Sequence, residues 1–307
     1  MIKDFNDGQS ISDVFLIKDA TKATTSTGLN FLTVVLEDSS GVIEAEKRDC
    51  SSEDLTLFVP GNVLLVSGQV LNYKGKLQFK ILSAKQVDSK NVNLSSLILA
   101  SPINFNVLVD KFKKIVNSVT NESLCKLLKA ILNKYYDKLI NYPAAAKNHH
   151  AFLHGLLHHT VSMCEVAEFV SAHYENVNRD LLISGCLLHD LGKVVELSGP
   201  VATKYTTEGN LLGHLTIGMS IVKETADEMG LNDESILLLE HMILSHHGKL
   251  EFGACVLPLT REALLLSMID DMDAKMVMLD KAYENVKPGE YTERIFGLDN
   301  RSFYKAK

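Results

Sequence analysis

The chain has 307 residues, 46% hydrophobic and 22% charged, an ordinary soluble composition with enough length for two domains. Its formal net charge of −7 argues against indiscriminate coating of nucleic acid, and apolar runs such as "SILLLEHMIL" are broken by charges before reaching membrane-spanning length. Five scattered cysteines without a CxxC pair read as reduced thiols, against a disulfide framework or a zinc knuckle; with the polar start "MIKDFNDGQS" they predict a cytoplasmic protein with neither signal peptide nor lipid anchor.

Residues 1–88 read as strands. "FLTVVLED" and "GVIEAEKRD" are β-rich runs separated by "SSG", and "NVLLVSGQVLNYKGKLQFKIL" continues with turn signals at Gly68 and "YKGK". Several short strands of this kind suggest a small barrel, with no helix of useful length before residue 90. From Ser101 the period changes. Ser101 and Pro102 form an N-cap and N1 pair, and Phe105, Leu108, Val109, Phe112, Ile115, Val116 and Val119 recur at helical spacing. A second helix carries Leu124, Leu127, Leu128, Ile131, Leu132, Tyr135, Tyr136 and Leu139 and ends before Pro143. These two read as packing helices that join two domains, a helical linker over 91–143.

Residues 144–307 are helical again, with helices near 150–172, 179–191, 214–229, 234–246 and 260–286; Gly192, Gly230 and Gly248 fall just beyond three of the ends. The chain is therefore multi-domain β plus α: a barrel over 1–90, a helical linker, and an all-α domain over 144–307. Acidic residues concentrate in the last of these, which suits a cation site, while the net basic stretch 91–147 suits an anionic partner.

All eleven histidines lie between His149 and His247. "LLHHTVSM" puts His159 at the start of an amphipathic helix, "LLHDLGK" puts His189 and Asp190 at the end of another, "NLLGHLTIG" puts His214 at a helix start, and "LSHHGK" puts His246 and His247 at a helix end. "MIDDMDAK" places Asp270 inside an apolar helix with Asp273 one turn on. Each is a polar ligand type entering from a buried stripe, which is costly unless something pairs with it. A metal cluster at the centre of the bundle satisfies them all, and imidazole with carboxylate favours Mn, Fe, Zn or similar ions over Ca or an all-oxygen Mg site. Asp190 can bridge two ions, because a carboxylate offers two oxygens.

The order His159, His189-Asp190, His214, His246, Asp270 resembles the HD-domain superfamily of metal-dependent phosphohydrolases in its two-metal form. The resemblance implies His159, His189, Asp190 and Asp270 as shared ligands, with His214 and His246 completing a second ion site. It also implies Lys193 as a phosphate-contacting cation, the alternative being a lysine that answers the helix dipole. His247 is a further candidate ligand, His149 and His150 fall near the mouth, and Asp271 and Asp273 serve as groups behind the ligands. His154, His158, His173 and His241 match no ligand position, and Cys186 reads as core. Gly192 ends the helix so that Lys193 turns towards the phosphate.

"FLTVVLEDSSGVIEAEKRD" followed by "VSGQVLNYKGKLQFKI" resembles the OB-fold nucleic-acid-binding family. Phe31, Tyr73 and Phe79 are candidate stacking residues, and Lys47, Arg48, Lys74, Lys76 and Lys80 candidate phosphate contacts. Relatives carry Trp near "EAEKRD"; this chain has none, and Arg48 is its planar substitute. The order OB barrel, helical linker, HD domain, with the tail "VKPGEYTERIFGLDNRSFYK", resembles the YhaM family of 3′-to-5′ exoribonucleases; in the tail Arg294 and Arg301 guide RNA or pair with the acidic bundle. That resemblance implies two divalent ions per site, Mn²⁺ first with Fe, Co, Zn or Mg as alternatives. It also implies single-stranded RNA as substrate, single-stranded DNA as a secondary one, and leaves a homo-oligomer open. The alternative function is an HD phosphohydrolase of small or cyclic nucleotides.

Overall fold

Alternation along the N-terminal strands builds a barrel wall. In β2 (Asn30–Asp38), Leu32, Val34 and Leu36 are buried while Thr33 is exposed, and in β4 (Val63–Tyr73) Leu64, Val66 and Val70 turn inward. With β1 (Ser10–Thr24), β3 (Gly41–Lys47) and β5 (Lys76–Gln86) they close in the order β1-β2-β3-β5-β4. All pairs are antiparallel except β3 and β5, which run parallel with Ala45 opposite Phe79. This strand order is that of an OB-fold. A six-residue helix, α1 (Ser52–Leu57), sits between β3 and β4; it fully buries none of its residues and is too short to show a period in the sequence, and a Ser51–Asp54 capping box starts it.

Gly68 is not a turn. It lies inside β4 where the register with β5 shifts, and a Cβ there would meet Lys80 O at 2.2 Å. The turn is at Lys74 and Gly75, both at positive φ, which closes a two-residue hairpin between Tyr73 and Lys76. Phe5, Phe15 and Phe79 form the aromatic centre of the barrel, with ring centroids 6.2–6.3 Å apart.

The structure is a computed structural model that describes residues 1–24, 30–87, 92, 96–145, 150, 152–284 and 286–307. It divides into two compact units, Met1–Ala100 with Pro200–Thr203, and Ser101–Gly199 with Lys204–Lys307. Among the described residues no helix is long and apolar enough to cross a membrane.

In the second unit, α2 (Phe105–Asn117) is capped by Asn104 rather than Ser101. The Ser101 hydroxyl is instead bonded to His158 Nδ1 at 3.0 Å. The two helices read as a linker belong to the core of this unit: Leu108 and Phe112 of α2, and Leu124, Leu127, Leu128 and Ile131 of α3 (Glu122–Asn141), are buried with residues of the later helices. The helix expected from 150 begins only with α4 (Gly155–His173). His154 holds φ 65° there and its Nδ1 bonds Ile140 O at 2.7 Å.

Next comes α5 (Arg179–Leu188), in which every residue from Leu181 to Leu188 is buried. A polar clamp fixes its start: Asp180 Oδ2 accepts from Thr120 N–H, the Thr120 hydroxyl and Asn121 N–H, each at 2.7 Å. The short α6 (Lys193–Glu196) follows, then α7 (Thr207–Glu228), α8 (Glu234–Ser245) and α9 (Arg261–Tyr283). Gly213 breaks α7 with φ 71° and ψ 154°, so the segment expected to start at 214 does start there, as the second half of a kinked helix.

Candidate metal centre

A helix as apolar as α5 must run through the core, and its C-terminal end delivers His189 and Asp190 there; they are 0% and 3% exposed. Around them stand His159 of α4, His214 at the restart of α7, His246 just past α8, and Asp270 of α9. The structure brings all six sequence-predicted ligands together. Asp190 Oδ2 lies 3.3 Å from His189 Nε2 and 3.8 Å from His159 Nε2, whereas Oδ1 lies 3.5 Å from His214 Nε2 and 3.8 Å from His246 Nε2. Asp270 Oδ1 is 3.2 Å from His159 Nε2. The two carboxylate oxygens of Asp190 thus face two different histidine pairs.

Every imidazole here is turned by a bond at its other nitrogen. Nδ1 of His159 is bonded to Asp273 Oδ2 at 2.7 Å, of His189 to Cys186 O at 3.0 Å, of His214 to Glu196 Oε1 at 3.0 Å, of His246 to Ile243 O at 2.8 Å and of His247 to Phe252 O at 2.8 Å. With Nδ1–H donating to each acceptor, Nε2 is the nitrogen that faces the centre and would ligate a metal. His214 Nε2 is buried without a hydrogen-bond partner, a cost that a cation removes.

Donor spacing fits as well. Metal–ligand bonds of about 2.0–2.2 Å give ligand–ligand edges of about 2.8–3.6 Å, close to the observed separations. Among the described residues, four sets of three donors have ligand atoms within 4.8 Å of one another: His159, His189 and Asp190; His189, His246 and Asp270; His214, His246 and His247; and His150, His159 and Asp273. The residues present fit divalent metal, and the third set places His247 beside the centre.

The electrostatics follow the same arrangement. Burial would raise the Asp190 carboxyl, but Lys193, His189 and His214 hold it well below the usual carboxylate range. Asp270 is likewise held low against its burial, mainly by His159 and His189. Burial opposes charge on His159, yet bonds to Asp270 and Asp273 push its pKa up to about 10. Burial depresses His246 and His247, which suits neutral ligands.

Lys193 lies one turn beyond Asp190, and its Nζ is held by Asp190 Oδ2 at 2.7 Å. Gly192 does not end the helix in a left-handed turn; its φ of −59° is helical. A glycine is needed there for space, since a Cβ would lie 2.0 Å from His214 O and 2.8 Å from Gly218 N.

Asp273 stands behind the ligands, as read from the sequence. It also accepts from His150 Nε2 at 2.9 Å and from the Ser162 hydroxyl. His150 is buried at that point rather than at a mouth, and His149 lies outside the described residues. Asp271 pairs with Lys275 at 2.6 Å on the surface. His241 Nε2 accepts from Leu259 N–H, His173 stacks on Phe169, and Cys186 is core. Sequence reasoning missed Ser162 and Glu196. An acid in the apolar "KVVEL", six residues after Asp190, was the available signal for the second.

The nucleic-acid candidates divide. Tyr73 is 57% exposed with Lys74 Nζ 5.2 Å from its ring centre, and Lys76 and Lys80 are exposed beside that hairpin. Phe31 is half-buried; Arg48 is exposed and pairs with Glu46 at 3.2 Å, and Lys47 pairs with Asp54 at 3.7 Å. Phe79 is 0% exposed and packs on Phe5 and Phe15, so it is barrel core and not a stacking surface. It points inward because its register partner Val70 does the same. Arg294 is exposed, and Arg301 pairs with Asp299 at 3.0 Å and sits over Phe303.

Among solved structures, the chain is similar to the second OB-fold domain of replication protein A from Methanococcus maripaludis, at 15% identity and a TM-score of 0.25, covering 29% of this chain and 93% of that one. The barrel assignment rests on strand order and not on that likeness. Residues 156–275, which contain all six of these candidate ligands, match the family model of the HD domain, and this match indicates a metal-dependent hydrolase.

Proposed function

We propose that the protein is a 3′-to-5′ exoribonuclease that shortens single-stranded RNA and releases nucleoside 5′-monophosphates. The observation that carries this reading is the division of Asp190, whose Oδ2 faces His159 and His189 while Oδ1 faces His214 and His246. Two neighbouring cations sharing one carboxylate would call for such a layout, and this supports the two-cation reading. An OB-fold barrel on the same chain favours a polymer over a mononucleotide, because a single nucleotide needs no tracking surface.

When bound, two divalent ions, for which we propose Mn²⁺, offset charge on phosphoryl oxygens and make water nucleophilic near neutral pH. The protein supplies the rest. His159, His189 and Asp270 define one side, His214 and His246, with His247 beside them, the other, and Asp190 spans both. Lys193 provides a fixed positive charge next to Asp190, placed to favour an anionic ester. Hydrolysis adds water across the P–O3′ bond of the last linkage: the hydroxyl joins phosphorus, and the departing O3′ takes a proton. No serine or cysteine nucleophile is required.

The test compares a 5′-labelled oligoribonucleotide with free and cyclic nucleotides after chelation and metal add-back. The expected result is a ladder shortening from the 3′ end, with 5′-monophosphates released only when metal is restored. Turnover of small or cyclic nucleotides without any ladder would replace this reading with a nucleotide phosphohydrolase. Oligodeoxyribonucleotides in the same assay establish the RNA preference, and Asp190→Ala should abolish turnover while leaving RNA binding in place.

A further inference from the structure

Glu196 is 7% exposed, and the metal chemistry does not call on it directly. Its Oε1 accepts twice from a single residue: from the main-chain N–H of His214 at 3.0 Å and from Nδ1–H of the same residue at 3.0 Å. The first bond caps the helix that restarts after the break at Gly213. The second turns the ring. One oxygen atom therefore fixes both the backbone and the imidazole of His214.

The need for it follows from where each histidine sits on its helix. His189 and His246 lie at helix C-terminal ends, and each finds its Nδ1 acceptor three residues back on its own chain, at Cys186 O and Ile243 O. Their helices orient them. His214 follows the break at Gly213, and its Nδ1 is bonded to Glu196 and not to a carbonyl of the turn before it. A side chain from elsewhere supplies the acceptor.

The chain around Glu196 has little slack. Its carbonyl accepts from Thr206 N–H at 2.9 Å, and a Cβ on Gly209 would lie 2.4 Å from that carbonyl oxygen and 2.7 Å from the Glu196 Cα. The first turn of α7 thus holds Glu196 against His214.

We propose that Glu196 is a positioning residue that makes the His214 side of the centre a cation site, so that this side depends on it and the His159, His189 and Asp270 side does not. The proposal rests on the two-cation reading above. Removing such an acceptor lowers metal affinity about 10- to 100-fold, and here the loss falls on one ion of the two.

The test is Mn²⁺ binding by calorimetry together with electron paramagnetic resonance of the loaded protein. Wild type should bind two Mn²⁺ and show the signal of a spin-coupled pair. Glu196→Ala should keep one Mn²⁺ at wild-type affinity, lose the second by about 10- to 100-fold, and give the six-line signal of an isolated ion. Glu196→Asp, too short to reach both donors, should behave alike and covers the case in which the alanine variant does not fold. Glu196→Gln retains the accepting oxygen and should restore the coupled pair. A coupled pair at wild-type affinity in Glu196→Asp, or equal loss of both ions in a folded variant, overturns the proposal. Wild type that binds a single Mn²⁺ overturns the two-cation reading itself, and this proposal with it.

Discussion

Lys193 Nζ and Asp190 Oδ2 are 2.7 Å apart and both side chains are largely buried, the oxygen being the one that faces His159 and His189. Lys193 thus balances, in the metal-free protein, charge that bound metal would otherwise balance. In chelator, Lys193→Met leaves that carboxylate with less compensation, and breaking a buried pair costs about 3–5 kcal/mol. Mn²⁺ should recover much of this. Urea unfolding with EDTA and with Mn²⁺ measures both; an equal loss in the two conditions would remove Lys193 from the charge balance.

His159 sets a pH dependence. Its folded pKa, about 10, lies above the ordinary histidine value of 6.5. The stability it contributes to the metal-free fold is therefore fully present below about pH 6.5 and fades as pH rises towards 10. Thermal melts in EDTA should show that decline. At pH 7.5 a metal has to displace the His159 proton, so calorimetry in buffers of different ionisation enthalpy should detect about one proton released, and metal affinity should rise with pH.

Asp273 receives His159 Nδ1, His150 Nε2 and the Ser162 hydroxyl. Asp273→Ala should lower Mn²⁺ affinity about 10- to 100-fold and, by leaving buried donors unsatisfied, cost about 1–3 kcal/mol of stability. Asp271→Ala, two residues away on the surface, should change stability by less than about 0.5 kcal/mol. Similar effects from the two substitutions would mean that Asp273 does not orient His159.

Phe79 and Tyr73 were equal candidates in the sequence, and the barrel separates them. Phe79→Ala should destabilise the first unit by about 3–5 kcal/mol. Tyr73→Ala should leave the melting temperature nearly unchanged and weaken single-strand binding by about 1–3 kcal/mol. Denaturation and fluorescence anisotropy with a labelled oligoribonucleotide decide it; unchanged RNA binding in Tyr73→Ala removes that hairpin from the interface.

The helices α2 and α3 were legible because their apolar residues recur at a period of 3.6, and the strands because theirs alternate. Local propensity was less reliable at the ends. Ser101 has the chemistry of an N-cap, but Asn104 performs the capping while Ser101 bonds His158. Gly192 looked like a helix terminator, and its lack of a side chain serves the close passage of the His214 backbone instead. The six-residue α1 fully buries none of its residues and is too short to show a period.

The sequence by itself determined the donor inventory: histidines and aspartates at the ends of apolar helices, at a cost in burial that only a shared centre repays. Tertiary structure decided which nitrogen of each ring faces inward, that the oxygens of Asp190 divide between two histidine pairs, and that Glu196 and Asp273 stand behind the ligands. Those relationships join residues up to 114 positions apart, as with His159 and Asp273. A hydrophobic period records only which face of a helix is covered and not what it meets, so they arise when the helices pack.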